Sequence, residues 1–276
     1  MSRSRTRPRS TLAAVALLAV LLLAAPGARA YHSATERVTD QTAYTLPRWD
    51  IRLGLWKAEF GAWHDLTVGT YLLPWLLRMG NLSLKYEILH RERWSVAGRA
   101  SIFRLDLQRL NEDAPESYFT ILPLELAISW RFAQRWILSS EAIYTKVQLT
   151  GSYDEDALQG AVAVTNLQLA TTLLWQLGRV TALALHLRYL AFQDLSGSGV
   201  FVLHPSERLT VEIHGAASSG VTDVQHAFAV VPAFVWSWQT FNLRAGLGFG
   251  NYCVPGINSV LPVRGPIPDL DLYWVW

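Results

Sequence analysis

Apolar residues return at every second position through long tracts of this chain. Between 118 and 132, Leu122, Leu124, Leu126, Ile128, Trp130 and Phe132 alternate with Pro123, Glu125, Ala127, Ser129 and Arg131. Side chains on a strand alternate between its faces, so one face of this segment is continuously apolar and the other polar or small. The same period recurs in Leu167, Leu169, Thr171, Leu173 and Trp175 against Asn166, Gln168, Ala170 and Thr172. It recurs again in Leu183, Leu185, Leu187 and Tyr189 against Ala184, His186 and Arg188, and in Leu209, Val211 and Ile213 against Arg208, Thr210, Glu212 and His214. Phe241, Leu243, Ala245, Leu247 and Phe249 face away from Asn242, Arg244, Gly246 and Gly248.

These tracts predict an all-β chain of about twelve strands, with ten to fourteen compatible with the pattern. The strands fall near 50–60, 64–77, 81–90, 93–108, 118–132, 135–149, 160–177, 179–193, 200–216, 226–238, 240–251 and 267–276. A turn at His204-Pro205-Ser206 would raise the number to thirteen, and the first hairpin would then have to gain or lose a strand to keep it even. Within 93–108 the apolar parity passes from Trp94, Val96, Ala100 and Ile102 to Phe103, Leu105 and Leu107, which predicts a bulge. Connections in the second half alternate in length. Ala133-Gln134, Gly178-Arg179 and the turn near Gln239 are short, whereas 111–117, 151–159, 194–199, 218–225 and 252–266 are long. Short turns at one end and long loops at the other fit an up-and-down antiparallel barrel.

A soluble sandwich also alternates, so the aromatic residues matter. Trp94, Tyr118, Trp130, Trp136, Trp175, Tyr189, Trp236, Trp238 and Trp274 fall near strand ends, where amphipathic rings mark membrane interfaces. Beyond residue 30 no apolar run reaches the roughly 18 residues of a membrane-spanning helix. Crossing by strands is the expectation.

The first 30 residues change the picture of charge. Arg3, Arg5, Arg7 and Arg9 precede an apolar run from Leu12 to Ala25, broken by Pro26 and Gly27. Ala28 and Ala30 frame an A-x-A-like site, so cleavage of a secretory signal is expected to leave Tyr31 first. That removes five arginines from the 24 basic residues, leaving 19 against 22 acidic, a net of −3. No basic patch then points to nucleic acid, and Lys57, Lys85 and Lys146 do not cluster along the chain. Residues 31–47 read as a periplasmic lead-in or a plug, and 48–276 as a single barrel domain.

The chain ends Leu270-Asp271-Leu272-Tyr273-Trp274-Val275-Trp276. In this it resembles single-chain Gram-negative outer-membrane β-barrels, whose last strand alternates up to a terminal aromatic. The resemblance implies an outer-membrane location among its lipids and lipopolysaccharide, with Leu270, Leu272, Trp274 and Trp276 read by the barrel-assembly machinery. Phe is the commoner last residue in that family. Asp269 and Asp271 must face the lumen for the match.

Parity assigns an inward set of Lys85, Glu87, Arg99, Arg104, Asp106, Glu125, Arg131, Glu141, Lys146, His186, Arg188, Arg208, Glu212, His214, Arg244, Asp269 and Asp271. Both signs are represented. The set suits a hydrophilic pathway that selects small solutes by charge and size, or charges that pair across a filled lumen. Small residues at Ala227, Ala229, Ala233, Gly246, Gly248 and Gly250 are expected to leave space for water or for residues 31–47. A passive pore or transporter leads. A non-conducting receptor, adhesin or scaffold of an envelope machine for secretion, motility or adhesion is the alternative.

An outer-membrane lipid hydrolase or acyl transferase would need Ser139 or Ser140 beside a base such as His186, and no recognisable motif surrounds them, so no enzyme is expected. Asp154-Glu155-Asp156 lacks the spacing of a calcium loop, Cys253 reads as an inert thiol, and no cofactor or metal site is expected.

Overall fold

The period-two tracts pair with their neighbours in sequence, and the last strand returns to the first. The computed structural model describes residues 38–106, 117–151, 160–206, 209–218, 226–254 and 256–276. The expected signal sequence lies outside them. The strands are β1 (Ile51–Gly54), β2 (Lys57–Trp63), β3 (Leu66–Tyr71), β4 (Gly80–His90), β5 (Trp94–Asp106), β6 (Ser117–Ala133) and β7 (Trp136–Gly151). They continue with β8 (Gly160–Gln176), β9 (Thr181–Ser206), β10 (Leu209–Ser218), β11 (Phe228–Trp238), β12 (Phe241–Val254) and β13 (Ser259–Val275). A one-turn helix, α1 (Leu72–Leu76), follows β3.

All pairings are antiparallel, and β13 closes onto β1. One edge of β9 lies on β8. Its other edge carries β11 along Thr181–Tyr189 and β10 along Ser196–Ser206, so these two strands share one place in the ring. The result is a closed barrel of twelve staves, an architecture that leaves no full-length sheet edge.

Two expected strands are drawn differently. The tract 50–60 is a hairpin turning at Leu55-Trp56, and 64–77 is β3 followed by α1, because Pro74 cannot extend the ladder. Conversely, 179–193 and the first part of 200–216 form one continuous strand, β9, and β10 folds back along it. The gain and the loss offset each other, which leaves twelve. The bulge expected in β5 is not there: β5 and β6 keep one register from Trp94↔Trp130 to Asp106↔Tyr118. The shift lies in β4, between Glu87 and Leu89. Phe103 turns inward because that end of the lumen is apolar, packed around Met79, Phe103 and Ile121.

β11 shows the two faces at their clearest, exposed and buried residues alternating from Phe228 to Trp238. Leu82, Leu84 and Ile88 on β4, Leu124 and Leu126 on β6, and Leu183, Leu185 and Leu187 on β9 are exposed outward. An outer wall this apolar, on strands that beyond β3 reach the roughly 9–11 residues a tilted crossing needs, faces lipid. The rim with the short turns is ringed by aromatics. Trp94 stacks on Trp130 and Trp136 on Trp175, each with centroids 5.1 Å apart, and Phe241 meets Trp274 at 5.4 Å. Trp130→Ala is expected to cost about 1 kcal/mol beyond its lost area. A double-mutant cycle with Trp94→Ala, read by urea unfolding in lipid vesicles, should recover that coupling.

Candidate functional site: the luminal chamber

Residues 38–47 run inside the ring, bonded to its inner wall. The Lys85 ammonium, buried on β4, donates to the carbonyls of Thr39, Thr42 and Tyr44 at 2.7, 2.6 and 2.8 Å. The Ala43 amide donates to Ser129 Oγ on β6, and the Leu46 amide to Thr67 Oγ1 on β3. Val38 packs with Ala184, Ala233 and Val235. A backbone outside any sheet must find such partners when it is buried. The segment leaves along β2, where a Cβ on Gly61 would lie 1.9 Å from the Pro47 carbonyl oxygen. Trp49 and Gly61 bond there, amide to carbonyl, at 2.8 Å.

Asp40 fixes this segment electrostatically. Arg52 on β1, 1% exposed, donates to Asp40 and to Asp271 at 2.7 Å each and to Glu59 at 3.2 Å. Lys57 bonds both Asp40 and Glu59. The Arg52 guanidinium also lies 4.0 Å over the Tyr273 ring. Above this cluster Arg99 pairs with Glu125 at 3.2 Å and Arg244 with Asp269 at 3.0 Å.

The other end of the lumen is covered from the β12–β13 connection. Gly256 lies against the Tyr71 ring, Ile257 packs on the Met79, Phe103 and Ile121 cluster, and the Asn258 carbonyl accepts from the Gln168 amide on β8. Between the two closures remains a polar cavity of about 200 Å³, lined among others by Arg99, Glu125, Glu141, His186, Arg188 and Asp269. Glu125 Oε1, Glu141 Oε1 and Asp271 Oδ1 are buried with no hydrogen-bond partner among the described residues.

Of the residues singled out in the sequence, Lys85, Glu87, Arg99, Glu141 and Asp271 lie buried on the inner face. Glu125, His186, Arg188, Arg244 and Asp269 line the cavity, and Arg131 shares the inward parity of Ser129 near the short-turn rim. Arg208 lies outside the described residues. Glu212 and His214 lie on β10, where only the backbone is described. Arg104, Asp106 and Lys146 are corrections: they share the outward parity of Ile102 and Tyr144, and Arg104 sits over the Tyr118 ring at 4.1 Å. The space expected beside Gly246, Gly248 and Gly250 is also absent. A Cβ there would lie 2.3, 2.3 and 2.1 Å from the carbonyl oxygens of Pro232, Val230 and Phe228, because β11 presses against these glycines. Leu270, Leu272 and Trp274 take the outward parity of β13, and the Trp276 amide bonds the Ile51 carbonyl.

Ser139 bonds Ser129, Ser140 faces outward toward Thr171, and His186 bonds Thr172 at 2.8 Å, so no serine and histidine pair forms among these three. Asp40, Arg52, Lys57 and Glu59 were not among the inward residues read from the sequence. Their signal is a change of apolar parity, from Ile51, Leu53 and Leu55 to Ala58 and Phe60, which marks the hairpin and turns Lys57 and Glu59 inward.

No protein-family model matches the chain, and no curated protein matches it. Among solved structures it is similar to the outer-membrane expressed OmpT of Vibrio cholerae, at 10% identity over 80% of this chain and 64% of that one, with a TM-score of 0.38. It spans less than two thirds of that protein. It is also similar to the translocator domain of autotransporter NalP from Neisseria meningitidis, at 12% identity over 96% and 85% of the two chains, TM-score 0.41. The CymD monoaromatic hydrocarbon channel is similar at 8% identity over 91% and 94%, TM-score 0.39.

Proposed function

We propose that this chain is an outer-membrane barrel, exported through the signal at residues 1–30, whose lumen serves as a closed polar chamber and not as a standing pore. The observation that carries this reading is the lumen's occupancy by residues 38–47, anchored on β1, β3, β4 and β6. An open pathway of the kind the alternating charges suggest needs water along its length, and here most of those charges bond to one another or to that segment. The inward turn at Gly256 closes the opposite end. Leu270, Leu272, Trp274 and Trp276 act in assembly, and outer-membrane lipids and lipopolysaccharide surround the apolar wall.

Planar-bilayer recording of the refolded mature chain tests the reading. The expected result is silence from the parent chain and intermittent openings from Lys85→Met, which strips the donor from three buried carbonyls. Steady, ion-selective openings from the parent would return the assignment to a passive pore for small hydrophilic solutes.

A further inference from the structure

The staves of the barrel differ in height. β1 pairs with β13 at Arg52↔Val275, Leu53↔Trp274 and Gly54↔Tyr273, with backbone hydrogen bonds reaching no further than Ile51–Trp276 and Leu55–Leu272 among the described residues, and the chain then turns at Leu55-Trp56 into β2. β13 continues along β12 as far as Ser259, yet among the described residues no strand pairs with that stretch on the β1 side. Among the described residues the wall therefore has a gap above Leu55-Trp56. Its far side is Tyr71 and α1, which exposes Leu73, Trp75 and Leu76.

This edge is built to stay unpaired in lipid. The Leu55 amide bonds the Leu272 carbonyl and the Trp276 amide bonds the Ile51 carbonyl, so even-numbered residues of β13 turn their backbone groups toward the gap. Two of the even positions in the regular part of the ladder are Pro266 and Pro268, which have no N–H to leave unsatisfied. The Leu270 carbonyl accepts from the Trp56 indole and the Pro266 carbonyl from the Tyr252 hydroxyl. A backbone at membrane depth is tolerated when its polar groups are supplied in this way.

The gap and the chamber meet. Trp56, Pro268 and Leu270 line the same cavity of about 200 Å³ as Glu125, Glu141 and Asp271. Glu141 is 7% exposed and Asp271 2%, and each of the three carboxylates has an oxygen without a partner among the described residues. Buried acceptors of this kind require donors. The cavity has room for about seven waters at roughly 30 Å³ each, space enough for a small headgroup.

Resting on the closed-chamber reading, we propose that the gap beside β13 admits the amine-bearing headgroup of a membrane phospholipid. The ammonium meets Glu141 and Glu125, diagonal neighbours on β7 and β6, while the acyl chains remain outside against Leu270 and Trp56. Arg188 and Arg244, which line the same cavity, face the headgroup phosphate.

The test is native mass spectrometry of the refolded mature chain released from nanodiscs containing equal phosphatidylethanolamine and phosphatidylglycerol, with free ethanolamine as a separate arm. The expected result is about tenfold preferential retention of phosphatidylethanolamine. Glu141→Gln should abolish that preference with the barrel still heat-modifiable. Leu270→Trp, which obstructs the gap from outside, should reduce lipid retention and leave free ethanolamine unaffected. Equal retention of the two lipids, or a preference untouched by Glu141→Gln, overturns the proposal. So does binding of free ethanolamine as tight as that of the lipid, which would make the chamber a site for a soluble amine. Failure of the closed-chamber reading registers separately, as steady current in bilayers.

Discussion

Arg52→Met should destabilise the barrel by about 3–5 kcal/mol, the usual cost of removing one partner from a buried ion pair. The methionine fills much of the same volume, so the loss is electrostatic. Asp40 and Glu59 keep Lys57, but Asp271 loses the one charged partner it has within hydrogen-bond reach among the described residues. The order of loss should follow: Asp271→Asn in the Arg52→Met background recovers part of the stability, because the carboxylate that suffers most is then neutral. Urea unfolding in lipid vesicles followed by tryptophan emission measures both chains. A loss below about 1 kcal/mol, the value of an exposed pair, would mean that water reaches Arg52.

The second large effect is expected from Gly61→Val. Its Cβ would enter the space of the Pro47 carbonyl oxygen and come within 3.1 Å of the Leu46 carbonyl oxygen. Both obstacles are backbone, so neither yields by a side-chain rotation. Either residues 38–47 lift from the wall or β2 bends, and the wall is tied to β3 on one side and β1 on the other. The segment should therefore leave. Proteinase K treatment of the reconstituted barrel, followed by mass analysis, is expected to remove residues before Arg48 at least tenfold faster in the variant, with far-UV circular dichroism unchanged. Equal protection in the two chains would show that the wall can absorb a side chain there.

The wall was legible in the sequence because lipid on one side and polar groups on the other force a period of two. Where that rule held without interruption, as in β6, β8 and β11, parity identified the faces. It failed where another physical demand intruded. Phe103 and Leu105 resemble a phase slip, yet they are the inner face of an apolar closure. The glycines of β12 read as empty volume, because a sequence does not show that a neighbouring backbone fills it. Lys146 stands five positions from Glu141 and so on the other face, which composition alone does not reveal. The chamber was least legible. Lys85 binds three main-chain carbonyls, which leave no trace in residue identity, and residues 38–47 form no regular element whose period could announce them.

The closing seam is short, three residue pairs between β1 and β13, as few as in the β1–β2 hairpin and against sixteen between β7 and β8. Arg52 stands on one side of it and Asp271 on the other, with Asp40 of the luminal segment bound to the same guanidinium. Closure and filling are thus linked: the ring cannot part at its weakest join without loosening what it encloses, and an empty ring lacks one of the ties that keep it shut. Insertion into the membrane would then end in a single cooperative step, in which the first strand finds the last as the tether between them settles inside.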